Sequence, residues 1–443
     1  MSNRLSKTHH YLFTPINNGS LIVFRILFGL VMSFEFLGAL TSGWVKEVYI
    51  TTQYNFTFIG FEFLHALHGP IMYWYYAIML LCALLIALGW FYRPASIIMA
   101  ILWTGFYFSQ KNHYNNHYYL MVILCWLMTL MPANKRASLD VKWRHVSPAY
   151  TCARWYILVF IIQIGIMYTF AAIAKMNPDW LQAMPIKLWF SKKASIPYIG
   201  KLYGTAWFPW FVAYGGLLFD LLITPALLWK KTRKYAMFAM LFFHFFNSAT
   251  FGIGSFPYMA MSLAVFFYPG EEFDNLLKTP KSFTADYKVP TLHIRRLIVG
   301  IFSIYFIWQI CLPIRHHFIE GDVAWTEEGH KMAWRMMLRT KRGRSYYIVK
   351  DKKNDQKWTV TPDDYLAPFQ VKDVAHHPDM IWQFAQLLKE KYKKEGYDVA
   401  VHGYCYCSLN GKPERLIIDP EVDLATEPWL HFKHHSWITP RPE

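Results

Sequence analysis

Runs of apolar residues, broken by short polar or basic stretches, dominate the first three quarters of this chain. They cover residues 21–40, 70–91, 94–108, 118–131, 153–174, 208–229, 235–251, 255–269 and 297–313. A helix needs about 20 apolar residues to cross a bilayer alone. Several runs are shorter, which a bundle tolerates when neighbouring helices cover them. The pattern predicts about nine transmembrane helices. After Arg315 it changes: 345–349 and 397–409 read as strands, and Asn410-Gly411 is a hairpin signal before 416–418. Between them, Ile381, Phe384, Leu387 and Leu388 recur at helical spacing within 380–395. The expected architecture is a polytopic α-helical membrane domain over 1–313, followed by a small α+β extramembrane domain over 314–443.

Composition agrees. Hydrophobic residues make up 54% of the chain and charged residues 17%, against roughly 45–50% and about 25% in soluble proteins. The aromatic share, 19%, suits interfacial belts. The net charge of +16 does not point to nucleic acid, because the cations gather in loops and no nucleic-acid motif accompanies them. They orient the chain instead. With the N-terminus cytoplasmic, Lys135, Arg136, Lys142 and Arg144 fall inside, as do Lys230, Lys231, Arg233 and Lys234, and Lys278, Lys281 and Lys288. Only Lys46, Lys111, Lys187, Lys192, Lys193 and Lys201 fall outside. The positive-inside rule then places the C-terminal domain on the extracytoplasmic side. The polar N-terminus, through Ser20, shows no cleavable-signal pattern. Cys405 and Cys407 share one strand face; C-x-C alone leaves packing, metal and disulfide readings open.

Three polar groups interrupt or flank the apolar runs. Lys111-Asn-His-Tyr-Asn-Asn-His-Tyr-Tyr119 opens the fourth, Lys175 with Asn177, Asp179 and Trp180 closes the fifth, and His244, Asn247 and Ser248 lie in the seventh. The charge-derived orientation puts all three in the outer half of the bundle. Ionisable residues inside a membrane are candidates for function. A primary amine at Lys175 is costly to charge where water is excluded, and a neutral lysine is a base. The pairs His9-His10, His316-His317, His376-His377 and His434-His435 read as surface residues, since adjacent residues do not share a helix face. No metal site is expected.

The chain resembles the vitamin K-dependent gamma-glutamyl carboxylase family. The matching segments are Val23-Phe-Arg-Ile-Leu-Phe-Gly29, Asn115-Asn-His-Tyr-Tyr119, Phe170-Ala-Ala-Ile-Ala-Lys-Met-Asn-Pro-Asp-Trp180, Gly215-Gly-Leu-Leu-Phe-Asp220 and Phe243-His-Phe-Phe-Asn-Ser248. Trp334-Arg-Met-Met337, Ile418-Asp-Pro-Glu-Val-Asp423 and Ser436-Trp-Ile-Thr-Pro440 extend the match towards the C-terminus. The resemblance implies oxygenation of reduced vitamin K to its epoxide, with molecular oxygen, coupled to carboxylation of a peptide glutamate by carbon dioxide. It implies Lys175 as the base towards the hydroquinone, with Asn116, His117 and His244 in the catalytic group and Phe256 as an aromatic wall. Tyr119 and Asn247, in the same motifs, complete the expected quinol site. Trp334, Met336 and Met337 are the expected peptide site, and membrane lipid and a glutamate-containing peptide the expected partners. Gly329 departs from the family, whose animal members carry a leucine there. Two alternatives remain: a quinol epoxidase without peptide carboxylation, and a quinone-binding or transport protein without chemistry.

Overall fold

The computed structural model describes residues 2–279 and 287–442; Lys281, counted above among the inner cations, lies outside them. A helix α1 (Ser2–Phe13) forms where the polar N-terminus predicted no element. Helices then occupy every predicted apolar run: α2 (Gly19–Thr41), α3 (Ile71–Leu88), α4 (Tyr92–Ser109), α5 (Asn116–Leu130), α6 (Trp155–Lys175), α7 (Phe208–Leu228), α8 (Arg233–Phe251), α9 (Phe256–Leu263) and α10 (Leu292–Ile314). Among the described residues, five helices are long and apolar enough to cross a membrane, namely α2, α3, α6, α7 and α10. The predicted count of nine therefore exceeds what length and composition establish. The physical reason is local. α5 has only 15 residues, and α8 carries Arg233, Lys234, His244, Asn247 and Ser248.

Local chemistry sets the helix ends. The Asn115 side chain accepts the Tyr118 amide at 2.7 Å and caps α5, as expected of an N-cap asparagine. Gly89 ends α3 and Gly252 ends α8, both left-handed, the usual glycine cap. Helices α2 and α3 touch at Gly29, where an added Cβ would lie 2.5 Å from the Ala87 nitrogen. The buried Arg25 guanidinium ties the same region together. It donates to the carbonyls of Ala133 (3.0 Å), Arg136 (3.3 Å), Ala87 (3.3 Å) and Ala137 (2.6 Å). A cation so placed is tolerated because these dipoles replace its water.

Beyond α10 the chain forms an antiparallel sheet of β1 (Lys341–Asp351), β2 (Lys357–Val360), β3 (Val399–Leu409) and β4 (Arg415–Leu416), in the order β2-β1-β3-β4. Residues of β3 alternate between buried and half-buried, so Cys405 and Cys407 point into one core as free thiols. Helices α11 (Pro368–Val374) and α12 (Pro378–Lys394) complete the domain, and α12 lays Ile381, Phe384 and Leu388 on the sheet.

This domain is seated on the end of the bundle where α4 stops and α5 starts. Gln370 donates to the Tyr54 carbonyl at 2.7 Å, and Gln383 to that of Thr57 at 3.1 Å. Asn112 donates to Asp373 at 2.9 Å. The strongest tie is ionic: Asp379 accepts from Lys111 at 2.8 Å and from Lys331 at 2.7 Å. Burial pushes Lys111 down to about 8. Burial alone would raise Asp379, yet the two lysines hold it well below the usual carboxylate range.

The structure corrects the reading of two of the four histidine pairs, His376-His377 and His434-His435; His10 and His317 are exposed. His376 and His435 are buried, at 8% and 3% exposure. The Nδ1 atoms of His434 and His435 lie 2.6 and 2.7 Å from the two Glu328 oxygens. These residues sit in loops between elements, where adjacent side chains converge because no helix splays them apart.

Asp379→Asn leaves the buried Lys111 and the half-buried Lys331 without a counter-charge, which costs about 3–5 kcal/mol. The variant should lose thermal stability in detergent and release the C-terminal domain sooner under limited proteolysis. Acid should act differently. The carboxylate is depressed, so its contribution is full above the unfolded value of about 3.9 and fades only as pH falls through the lower folded value. Asp379→Asn with wild-type thermal stability and protease resistance at neutral pH would argue against this tie.

Candidate functional site

Lys175 ends α6, and its Nζ donates to Asp220 Oδ2 on the neighbouring α7. Both are buried, at 6% and 4% exposure. The ammonium also lies 5.3 Å from the centre of the Trp180 ring. Asn177 accepts the Trp180 amide at 3.0 Å, and the Trp180 indole donates to the Ala213 carbonyl at 3.0 Å. The segment after Lys175 therefore folds back against α7. The Trp180 ring passes beside Gly216, where an added Cβ would lie at ordinary contact distance, 3.9 Å.

The pair opens into a cavity of about 80 Å³ lined by Tyr168, His244, Asn247, Phe251, Phe256, Met336 and Met337, among others. His244 Nε2 lies 2.9 Å from the Tyr168 hydroxyl. Its ring faces Phe256 edge-on at 5.7 Å. On the other side of Phe256, the His117 ring lies at 5.6 Å. Phe256 thus stands between the two histidines that the sequence singled out.

A second cavity, of about 430 Å³, begins beyond Phe256. The two share the wall of Phe251, Ile253, Phe256, Met336 and Met337. The second is lined by Asn116 and His117 from the bundle and by Lys111, Lys331, Arg335 and Arg339 around the domain junction. Asn116 donates to the Arg335 carbonyl at 3.2 Å and accepts from the Tyr114 hydroxyl at 3.0 Å. That hydroxyl also accepts the Met332 amide at 2.6 Å. The start of α5 therefore grips the 332–337 segment directly.

Charge in this chamber is unevenly matched. Glu327 pairs with Arg339 and, at 2.8 Å, with Lys341. Burial opposes its ionisation, but the two cations hold it well below the usual range. Asp379 serves Lys111 and Lys331. Burial, with Asn112 and Lys331 opposing, pushes the third acid, Asp373, up to about 6. Arg335 has no carboxylate within ion-pair distance among the described residues, and its Nε is buried without a partner. Burial and Arg339 lower it to about 10. A guanidinium in that position is suited to receive an anion.

Asp373, His376 and His377 bring possible ligand atoms within 4.8 Å of one another, and form the one such group among the described residues. His377 Nδ1 already has the Asp373 carbonyl at 3.1 Å and His376 Nδ1 at 3.0 Å. Burial pushes His377 down to about 4.

Lys175, His244, Asn247 and Phe256 line one cavity; Asn116 and His117 line the other; Phe256, Met336 and Met337 line both. Tyr119 lines neither. Its hydroxyl bonds Gln309 and its ring packs on Trp334 at 5.0 Å. Trp334 is fully buried and lines neither cavity, so it supports the segment from behind. Gly329 adopts φ +75°, and an added Cβ would lie 2.8 Å from His316 Cβ. A larger side chain has no room there.

Asp220 was missed as a site residue. The signal was present: it is the one acidic residue within α7, and an acid inside a membrane helix is a functional candidate. It also changes the reading of Lys175. The amine is not a lone desolvated group, because a carboxylate compensates a buried ammonium.

Two family models match. The HTTM domain covers residues 13–271, and the lumenal domain of vitamin K-dependent gamma-carboxylase covers 294–443. No solved structure matches the chain. The second match begins within α10, whose Phe302, Tyr305 and Phe306 pack against the core of the bundle. An HTTM membrane domain joined to that lumenal domain, over nearly the whole described chain, makes this protein a member of the vitamin K-dependent gamma-glutamyl carboxylase family.

Proposed function

We propose that this chain oxygenates reduced vitamin K to its epoxide and couples that reaction to carboxylation of a glutamate in a peptide. One observation carries the reading: a chamber lined by Lys175, Asp220 and His244 shares a wall with a cationic chamber at the domain junction. Coupling requires that the quinol and the glutamate meet without bulk water. Oxygenation of the reduced quinol supplies the strong base that removes the glutamate γ-proton, and carbon dioxide then adds to the carbon.

The residues divide the work. Lys175 takes the proton of a hydroquinone hydroxyl. His244, oriented by Tyr168, and the Asn116–His117 pair give fixed dipoles on either side of Phe256, where charge develops. Phe256 offers a flat face to the quinol ring. The cations around Arg335 receive the peptide carboxylate, and Met336 and Met337 seat its side chain against the shared wall. A further groove of about 890 Å³ is lined by Leu27, Leu30, Phe34, Leu241 and Phe245, and also by Tyr118 and Ser255. Those last two adjoin His117 and Phe256 in sequence. An apolar groove there suits the prenyl tail of a lipid-soluble quinol. The C-terminal domain, with both chambers, lies on the extracytoplasmic side.

The direct test is epoxide formation by the purified protein in nanodiscs. Wild type should convert reduced vitamin K, and Lys175→Arg should not, because a guanidinium cannot act as a base. Near-normal epoxide from Lys175→Arg would remove Lys175 from the reaction.

Asn116→Ala and His117→Ala should each slow epoxidation by roughly ten- to a thousand-fold if they stabilise developing charge. Unchanged turnover in both would leave them a purely structural part at the start of α5.

Orientation has its own test. A cysteine introduced by Glu427→Cys, with Cys311 removed, should react with a membrane-impermeant maleimide added from the extracytoplasmic side. Labelling from the cytoplasmic side alone would reverse the assignment.

A further inference from the structure

The proton that Lys175 takes needs a destination. Lys175 Nζ already donates to Asp220 Oδ2, and its ammonium faces the Trp180 ring. Both contacts favour a lysine that carries its full set of protons, and such a lysine has no lone pair to offer. Both side chains are buried, and both line the chamber that holds His244 and Phe256. Lys175 has no other carboxylate within ion-pair distance among the described residues. Asp220 likewise has no second cation.

We propose that Asp220 is the proton acceptor behind Lys175, so that the lysine acts as a relay and not as a lone base. This rests on the reading of Lys175 as the residue facing the hydroquinone. In the step, the O–H bond of the hydroquinone breaks and its proton forms a new N–H bond on Lys175. To free the lone pair for it, one of the lysine's own N–H bonds breaks first, and that proton forms an O–H bond on Asp220. The lysine begins and ends as an ammonium. Asp220 ends as a neutral acid, and the quinol oxygen is left as an anion beside the ammonium. Total charge is unchanged and no oxidant or reductant is consumed.

The arrangement resolves a conflict in the dry chamber. A neutral amine would have to hold its new charge unaided after taking the proton, whereas here the same ammonium neutralises first the carboxylate and then the quinol anion. Only a short proton shift separates the two states. Asp220 acts through Lys175, so it is a positioning residue that also holds a proton; it is the part of the pair that changes charge.

The test uses the full-length protein in nanodiscs and compares wild type, Lys175→Arg, Asp220→Asn and Asp220→Glu by epoxide formation across pH. Asparagine keeps an oxygen to accept from Lys175 but cannot take a proton. Asp220→Asn should lose about a hundred-fold or more at neutral pH, the scale of a missing acid–base group. Any Lys175 that keeps its proton must then lose it to solvent, so the residual rate should rise with pH on the alkaline side. Asp220→Glu retains a carboxylate, so it should follow the wild-type profile at a lower rate and serves as the folding control. If Asp220→Asn fails to fold, the proposal stands or falls on infrared difference spectra of wild type and Asp220→Glu given quinol without oxygen. A new protonated-carboxyl band that moves with the glutamate substitution supports it; its absence refutes it. Asp220→Asn with the wild-type rate, or with a loss that is uniform across pH, overturns the relay while leaving Lys175 in place. Wild type that makes no epoxide at all, or Lys175→Arg that makes it normally, overturns the reading of Lys175 and the relay with it.

Discussion

A buried ammonium and a buried carboxylate, Lys175 and Asp220, constrain the architecture around them. Neither could remain charged in this chamber alone. Their pairing fixes the approach of α6 to α7, and the 177–180 turn follows from it. Trp180 lies across the pair, its indole held by the Ala213 carbonyl. The remaining faces are closed by Phe256 from the membrane domain and by Met336 and Met337 from the C-terminal segment. Both domains therefore contribute to the lining of the chamber around the pair.

The domain junction meets the same demand at larger scale. Several cations converge there, more than the local acids can match: Asp379 answers two lysines, Glu327 answers Arg339 and Lys341, and Arg335 is left without a carboxylate. A surplus of positive charge at a buried junction is costly unless a negative ligand completes it. The peptide glutamate that the family carboxylates is such a ligand. The surplus sits one residue layer from the lysine pair, with Phe256 and two methionines between. Methionine adapts its shape readily, which suits a wall that must contact two different substrates.

Much of this was legible in the chain. Apolar runs placed each helix of the bundle, and period-2 alternation placed β3 with Cys405 and Cys407 on one face. Lys175 and His244 stood out as ionisable residues at a helix end or against apolar neighbours, whereas Phe256 came only from the family resemblance. Asp220 stood out equally, but its partner is 45 residues away, and nothing local says which helix will face it. The pairs His376-His377 and His434-His435 were misread for a related reason: helical spacing rules do not apply in turns, where tertiary contacts decide what is covered. Trp334 and Tyr119 carry the chemistry of a binding site, yet they pack on each other. Their role depends on how the C-terminal segment returns to α5, a contact between residues more than two hundred positions apart.

The central claim is that the two chambers work as one site, so that oxygenation in one drives deprotonation in the other. The most direct measurement is incorporation of labelled bicarbonate into a glutamate-containing peptide by the purified protein, with epoxide counted in the same sample. The account predicts that label and epoxide appear together, and that neither forms without reduced vitamin K. Steady epoxide formation with no label in any glutamate peptide would contradict it.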